Sequence, residues 1–375
     1  MRSSSYLEIC LNHLEDNLEL IRKKSGDKKI LLMIKADAYG HGMLETVQKA
    51  FECGVRDFGC ATLREAIYLR KSLSDLEFDI YVFSELDLYE EQRESYLFDR
   101  ITPVISSLHD LTYFLEQADW KNIPLCLKFN TGMNRLGLDK QDTNQVIELL
   151  NRYKRDNIFH LMSHFANASL ETKEGSFSDR QYSYFLEIKK NFLDANINIL
   201  NSSIANSGAI EQGFACEQET HVRPGIIAYG ATSLIPKLRD KHPWPGKLVS
   251  RLRTKVLKTF ELKKGDPLGY GATVVPQDCE IIILPLGYGD GLHRNLEKCF
   301  LSLGGIKGKI FGRLNMDMLF VMVEKSDQGK LQINDEVFFW DENPASLLLL
   351  SDQLKTISYE VLCHLGPRLP RVYRE

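Results

Sequence analysis

Residues 30–42 read ILLMIKADAYGHG. Ile30 to Ile34 is an unbroken apolar run, and its lack of alternation predicts a parallel strand covered on both faces. Lys35 follows at once, and then a turn punctuated by Gly40 and Gly42. A lysine at the end of a buried strand loses hydration, which lowers its pKa, and a neutral amine can attack an aldehyde to form an imine. Taken alone, the same lysine would equally suit a side chain snorkelling out to solvent.

Outward from this stretch, short apolar runs alternate with longer helical patterns, as in parallel strands joined by crossover helices. The strands are expected at Ile30 to Ile34, Asp57 to Ala61, Phe78 to Phe83, Ile101 to Ile105, Leu125 to Phe129, Ile158 to Ser163, Ile199 to Ile204 and Val222 to Ile227. Helical patterns include Met43 to Cys53, Leu63 to Leu73, Thr143 to Arg155 and Asp179 to Leu193. Eight such units predict an α/β fold, a (β/α)8 TIM barrel over 1–235. Beyond Pro236, Pro243 and Pro245 the runs become short and β-rich: Val249 to Leu262, Gly271 to Val275, Cys279 to Leu286, Gly308 to Glu324 and Glu336 to Trp340, with a helix near Ala345 to Leu354. A mostly β C-terminal domain is expected over 236–375, and the first ten residues are a strand that this domain could borrow.

The 375 residues are 26% charged and 43% hydrophobic with a net charge of -4, an ordinary globular composition that disfavours nucleic acid or an anionic membrane as partner. No signal-peptide core or spanning run is seen, so a cytoplasmic protein is expected. The 8 cysteines are scattered without a CxxC pair, which fits reduced thiols and predicts no metal site.

Active sites of such barrels sit where the strands end. The residues just past the strands are Lys35 after the first, Asn130 with Arg135 after the fifth, His164 after the sixth, Asn206 and Ser207 after the seventh, and Arg223 with Gly225 and Ile226 at the eighth. The last two strands are where barrels commonly hold a phosphate on exposed N–H groups, and Tyr39 could add a hydroxyl there. An imine-forming lysine, a phosphate corner and an arginine in one mouth together suggest pyridoxal 5'-phosphate; a direct imine with a substrate carbonyl, as in an aldolase, is the alternative.

Nine blocks decide between them: KADAYGHG (35–42), NTGMNRLG (130–137), SHFANA (163–168), ANSGA (205–209), VRPGIIAYG (222–230), LGYGAT (268–273), LGYGDGL (286–292), GRLNMDM (312–318) and SYEVLCHLGPRLPRVY (358–373). In content and order they resemble bacterial alanine racemase, a pyridoxal-phosphate family of barrel and β domain. The resemblance implies interconversion of L- and D-alanine, supplying D-alanine for peptidoglycan, with Lys35 as the cofactor lysine and Lys35 and Tyr270 as two bases on opposite faces of the substrate. A free phenol titrates near 10, so a tyrosine base needs a neighbour favouring its anion; His164 and Arg223 match the residues that do this, and Arg223 would face the pyridine nitrogen. Arg135 and Met316 match substrate-carboxylate contacts, and Tyr359 a tyrosine near the cofactor. Tyr288 and Asp317 would line the entrance, and Lys128 sits where some relatives carry a carbamylated lysine. The family places Tyr270, Met316 and Asp317 in the partner subunit's site, implying a homodimer. Asp37 and Asn130 depart from the family, which shows Asn and Asp there. Same-fold alternatives are a serine or broad-specificity racemase and an amino-acid decarboxylase, whose catalytic cysteine motif Cys363 does not match. A non-catalytic pyridoxal-phosphate carrier is disfavoured because such chains are lone barrels.

Overall fold

In the computed structural model, which describes residues 3–375 except 215 and 324, eight parallel strands surround one core. They are Lys29–Met33, Asp57–Thr62, Asp79–Glu85, Ile101–Ile105, Cys126–Asn130, Asn157–Met162, Asn198–Ser203 and His221–Val222. The first seven pair in chain order, and the eighth pairs back onto the first through His221↔Lys29 and Val222↔Ile30. The seventh and eighth are joined by the bridge Asn206↔Arg223 just past both strands, with the Arg223 N–H donating to the Ala205 carbonyl at 2.9 Å, and by the Thr220 N–H donating to the Ser202 carbonyl at 3.1 Å. Helices such as Met43–Glu52, Leu63–Ser72, Thr143–Arg152 and Phe177–Asp194 cover the outside, each burying one apolar stripe.

The eighth strand is shorter than the sequence suggested. Strand geometry stops at Val222, and Ile226–Tyr229 is a 3-10 turn. Pro224 has no N–H to donate, and the Gly225 N–H goes to the Ser207 hydroxyl at 2.9 Å instead of to a ladder.

The rest of the chain is β-rich. A four-stranded sheet runs Glu336–Trp340, Ser250–Lys255, Tyr6–Cys10, Arg371–Arg374, so the N-terminal strand lies among C-terminal ones. A five-stranded sheet runs Lys258–Leu262, Cys279–Leu284, Leu319–Val323, Ile306–Ile310, Phe300–Leu303. The expected run Val249 to Leu262 therefore divides between two sheets. Gly308 to Glu324 likewise splits into two strands with the loop carrying Met316 between them, and its last residue, Glu324, lies outside the described residues. Among the described residues no helix is long and apolar enough to cross a membrane.

The N-terminal strand is held by charge as well as by its ladder. Glu8 is buried and receives Arg251, Arg253 at 3.1 Å and Arg374 at 3.7 Å. Burial alone would raise its carboxyl pKa, but Arg251 and Arg253 outweigh that and hold it below the ordinary value. Its contribution is thus present above the unfolded carboxylate range and lost as pH falls through the lower folded value. Glu8→Ala should cost about 2 kcal/mol, because it removes the buried acceptor of Arg251 and Arg253, which keep Glu342 and Glu336 as partners. Urea unfolding at pH 7 checks this, and a loss under 1 kcal/mol would show that the cluster does not anchor the strand.

Candidate active site

At the strand C-termini a cavity of about 260 Å³ is lined by Lys35, Tyr39, Lys128, Arg135, His164, Asn206, Ser207, Arg223, Gly225 and Tyr359, with Met33, Phe83 and Leu136 among its apolar walls. Ten residues singled out from sequence thus meet in one place. Ile226 is buried directly behind Gly225 and does not line the cavity.

Lys35 is positioned by a backbone device that the sequence does not advertise. Ala36, Asp37, Ala38 and Tyr39 all have φ between 52° and 56°, a left-handed turn of four non-glycine residues. Such a residue costs roughly 1–2 kcal/mol in this region, so the surroundings must over-determine it. They do. Glu65 accepts from the Ala36 N–H at 2.8 Å, while its other oxygen accepts from the Ala61 N–H at 2.8 Å and caps its own helix with Thr62. The Asp37 carboxylate accepts from the Met43 N–H at 2.7 Å, tying the turn to the next helix. The Tyr39 ring packs against Tyr229 at 4.9 Å and Tyr359 at 5.8 Å. Gly40 is needed for close approach, since a Cβ there would lie 2.5 Å from the Leu362 carbonyl oxygen. Arg371 donates to the Gly40 carbonyl at 3.1 Å. The C-terminal segment thereby clamps the Lys35 turn.

On the opposite side Ser207 follows Asn206, which caps the short helix Ser207–Glu211 by accepting from the Ala209 N–H at 3.3 Å. Gly225 faces Tyr39 so closely that a Cβ would lie 2.4 Å from the phenol oxygen. Burial raises the pKa of both Tyr39 and Tyr359, so both stay neutral hydroxyl donors. Ser207, Tyr39 and Tyr359 place a cradle of uncharged hydroxyls at one end of the cavity, and Gly225, its N–H given to Ser207, leaves them room.

The rest is cationic. Lys35, Lys128, Arg135 and Arg223 line the space, and among the described lining residues there is no carboxylate. Burial and then Arg135 lower the Lys35 pKa. Burial, Arg223, Arg135 and Lys35 push Lys128 down to about 8. Arg223 is 3% exposed and its guanidinium meets neutral acceptors: the Ser203 hydroxyl, the Ser163 carbonyl and, at 3.3 Å, His164 Nδ1. Glu219, the carboxylate that acts on Arg223 from a distance, is paired to Lys189 at 3.1 Å. His164 is held neutral by burial and by the four cations, and Asn206 Nδ2 lies 3.5 Å from its Nε2. Arg135 enters on a loop shaped by Asn130, whose Oδ1 accepts from Gly132 and Asn134 N–H while its Nδ2 donates to Asp139 at 3.0 Å. An aspartate at 130 would face Asp139 with like charge, so asparagine suits this loop.

Tyr270, Met316, Tyr288 and Asp317 are not brought to this cavity. Tyr270 is 71% exposed and Met316 51%. They gather instead on neighbouring loops of the β-rich part, where Gly289 N–H donates to the Met316 carbonyl at 2.9 Å and Gly271 packs on Arg313. Asp317 pairs with Arg368 at 2.8 Å. Sequence reasoning passed over Ser163, Ser203 and Glu65. The T-x-x-E box at 62–65 was the available signal for Glu65; Ser203 ends its strand and Ser163 follows directly on its own, and neither carries one.

These features define a barrel protein with a cationic, lysine-bearing cavity beside a cradle of neutral hydroxyls where its strands end. Comparison with known proteins narrows this. The model of the alanine racemase N-terminal domain matches residues 9–233, and that of the alanine racemase C-terminal domain matches 249–373. The chain belongs to the alanine racemase family. It is 33% identical to alanine racemase of Clostridium kluyveri, over 98% of this chain and 93% of that one. Among solved structures it is similar to alanine racemase of Clostridium difficile 630, with TM-score 0.85, 26% identity and coverage of 100% and 97%. It is also similar to that of Bartonella henselae with covalently bound pyridoxal phosphate, with TM-score 0.84, 25% identity and full coverage of both chains.

The cationic cavity carries a stability penalty with a definite pH dependence. Folded Lys128 releases its proton near 8 and an ordinary lysine near 10.5, so the penalty is full below 8 and gone above 10.5. Lys128→Met should therefore stabilise the cofactor-free protein at pH 7, by up to about 3 kcal/mol, with the gap closing toward pH 10.5. Thermal unfolding in carbonate-free buffer, which keeps the amine free, checks this; a variant less stable than the parent at pH 7 would contradict it.

Proposed function

We propose that the protein interconverts L- and D-alanine with pyridoxal 5'-phosphate held in the barrel cavity, and that two copies of the chain complete each site. The observation that carries this is the lysine-bearing, carboxylate-free cation cluster next to a cradle of neutral donors. The cofactor's phosphate matches the cradle of Ser207, Tyr39 and Tyr359 hydroxyls, where a Cβ on residue 225 would displace the Tyr39 hydroxyl. Its aldehyde matches Lys35, whose lowered pKa leaves more neutral amine available. Arg223 is placed for the pyridine nitrogen; a permanent cation cannot take that proton and disfavours its presence on the ring. When bound, pyridoxal phosphate withdraws electrons from the α-carbon of an attached amino acid and makes its α-hydrogen acidic.

The chain's own residues then move protons. Lys35 Nζ takes the α-proton on one face and Tyr270 Oη returns one on the other, or the reverse for the other enantiomer. Two different groups on opposite faces serve both directions, whereas a single base tends to return the proton to the face it left. Arg135, opposite the apolar wall of Met33 and Phe83, is placed for the substrate carboxylate, and a bidentate guanidinium suits it. The Met316 backbone would share that role from the partner.

The partner is required because Tyr270, Met316 and Tyr288 are exposed and none of them lines their own chain's cavity. A tyrosine and a methionine so exposed on one face mark an interaction surface, and a two-fold dimer would carry each patch to the other's mouth. D-alanine from such an enzyme would serve peptidoglycan synthesis.

Three outcomes test the reading. Incubation with L-alanine and pyridoxal phosphate should yield D-alanine, and absence of any D-isomer would reject it. Lys35→Ala should lose at least 10³-fold in rate, in line with removal of a covalent and acid-base group. Lys35→Ala and Tyr270→Ala chains, each inactive alone, should recover about a quarter of wild-type activity when co-expressed, since half the dimers are mixed and each mixed dimer has one intact site. No recovery would refute the shared site.

A further inference from the structure

Beneath Arg223 lies a buried polar column that the proposed chemistry does not use. His160, on the strand Asn157–Met162, is fully buried inside the barrel. Its Nε2 lies 2.9 Å from the Ser203 hydroxyl, and that same hydroxyl accepts an N–H from Arg223. The His160 ring is held in plane by two neighbours: His221 at 4.8 Å, and Tyr81 edge-on at 5.8 Å. Those two have partners of their own: Asp57 accepts from the Tyr81 hydroxyl at 2.9 Å, and His221 Nδ1 lies 2.7 Å from the Thr220 hydroxyl. We propose that His160 is a positioning residue for Arg223, acting through Ser203. The proposal rests on the reading of Arg223 as the group facing the cofactor ring.

The hydrogen count supports a directed relay. Arg223 always has its protons to give, so Ser203 Oγ must accept on that side and turn its own hydrogen elsewhere. His160 Nε2 is the acceptor within reach. That makes His160 the Nδ1–H tautomer, which leaves one unpaired group, the Nδ1–H. The opposite tautomer would leave both the serine hydrogen and the Nδ1 lone pair without partners. Protonating His160 would set two cations on one hydroxyl. Burial, then His221 and Arg223, keep it neutral instead. A buried guanidinium with only neutral acceptors has little to fix its direction. The Ser203 hydroxyl, locked by His160, supplies one fixed acceptor, and the Ser163 carbonyl supplies the other. Ser163 is fixed in the same manner, its hydroxyl donating to the Phe129 carbonyl at 2.9 Å.

The first test uses the unmodified protein without cofactor. Nitrogen-15 shifts of labelled histidine, assigned by comparison with His160→Gln, should show His160 neutral with its proton on Nδ1. A proton on Nε2 would overturn the relay. This result does not depend on what the cavity binds, so it separates failure of the relay from failure of the cofactor reading. The second test uses the loaded enzyme. His160→Leu and Ser203→Ala should each lower kcat about tenfold with KM changed less than twofold, and each should shift the absorption band of the bound cofactor. The double variant should be no worse than the weaker single, because the two act in series. His160→Gln, which keeps an acceptor near the Nε2 position, should restore band and kcat to within twofold. Additive losses, or no rescue by glutamine, would show that His160 only fills space.

Discussion

The structure depends on an imbalance of charge in one cavity. Lys35, Lys128, Arg135 and Arg223 converge there with no carboxylate among the described lining residues. Buried cations are ordinarily paired, since an uncompensated charge in a protein interior costs several kcal/mol. Here the nearest acids are engaged elsewhere, Glu65 on the backbone of Ala36 and Ala61, and Glu219 on Lys189. The cavity thus favours an anion, and burial together with the neighbouring cations lowers the pKa of Lys35 and Lys128.

The barrel turns that imbalance into geometry. Its strands deliver Lys35, Lys128, His164 and Arg223 to one face, and the left-handed turn after Lys35 adds Tyr39 to the donor cradle. The turn is unfavourable for its own residues and is held by Glu65, Asp37 and the C-terminal segment that carries Tyr359 and Arg371. The β-rich part clamps its own chain's lysine turn and leaves Tyr270 and Met316 exposed, which the proposed dimer would use.

Much of this was legible in the sequence, for identifiable reasons. Buried parallel strands are continuous apolar runs, so Ile30 to Ile34 and Ile101 to Ile105 could be placed within a residue, and the polar residues past the strand ends followed from the barrel. The eighth strand was misjudged because Ile226 and Ile227 are apolar, although Pro224 has no N–H and only its carbonyl, accepting from the Met33 N–H at 3.0 Å, carries the pairing past Val222. The left-handed turn was invisible because Ala-Asp-Ala-Tyr contains no glycine; tertiary contacts override local preference there. Ser203 and His160 gave no signal, since polar residues inside a barrel look like surface positions until the closure is known. Tyr270 and Met316 were reached only through the family resemblance; no pattern within one chain connects them to Lys35.

The most direct test of the central claim is where the cofactor attaches. The protein loaded with pyridoxal phosphate should be reduced with borohydride, digested and mapped by mass spectrometry. The account predicts a phosphopyridoxyl group on Lys35 alone. A label on Lys128 or any other lysine, or none at all, would contradict it.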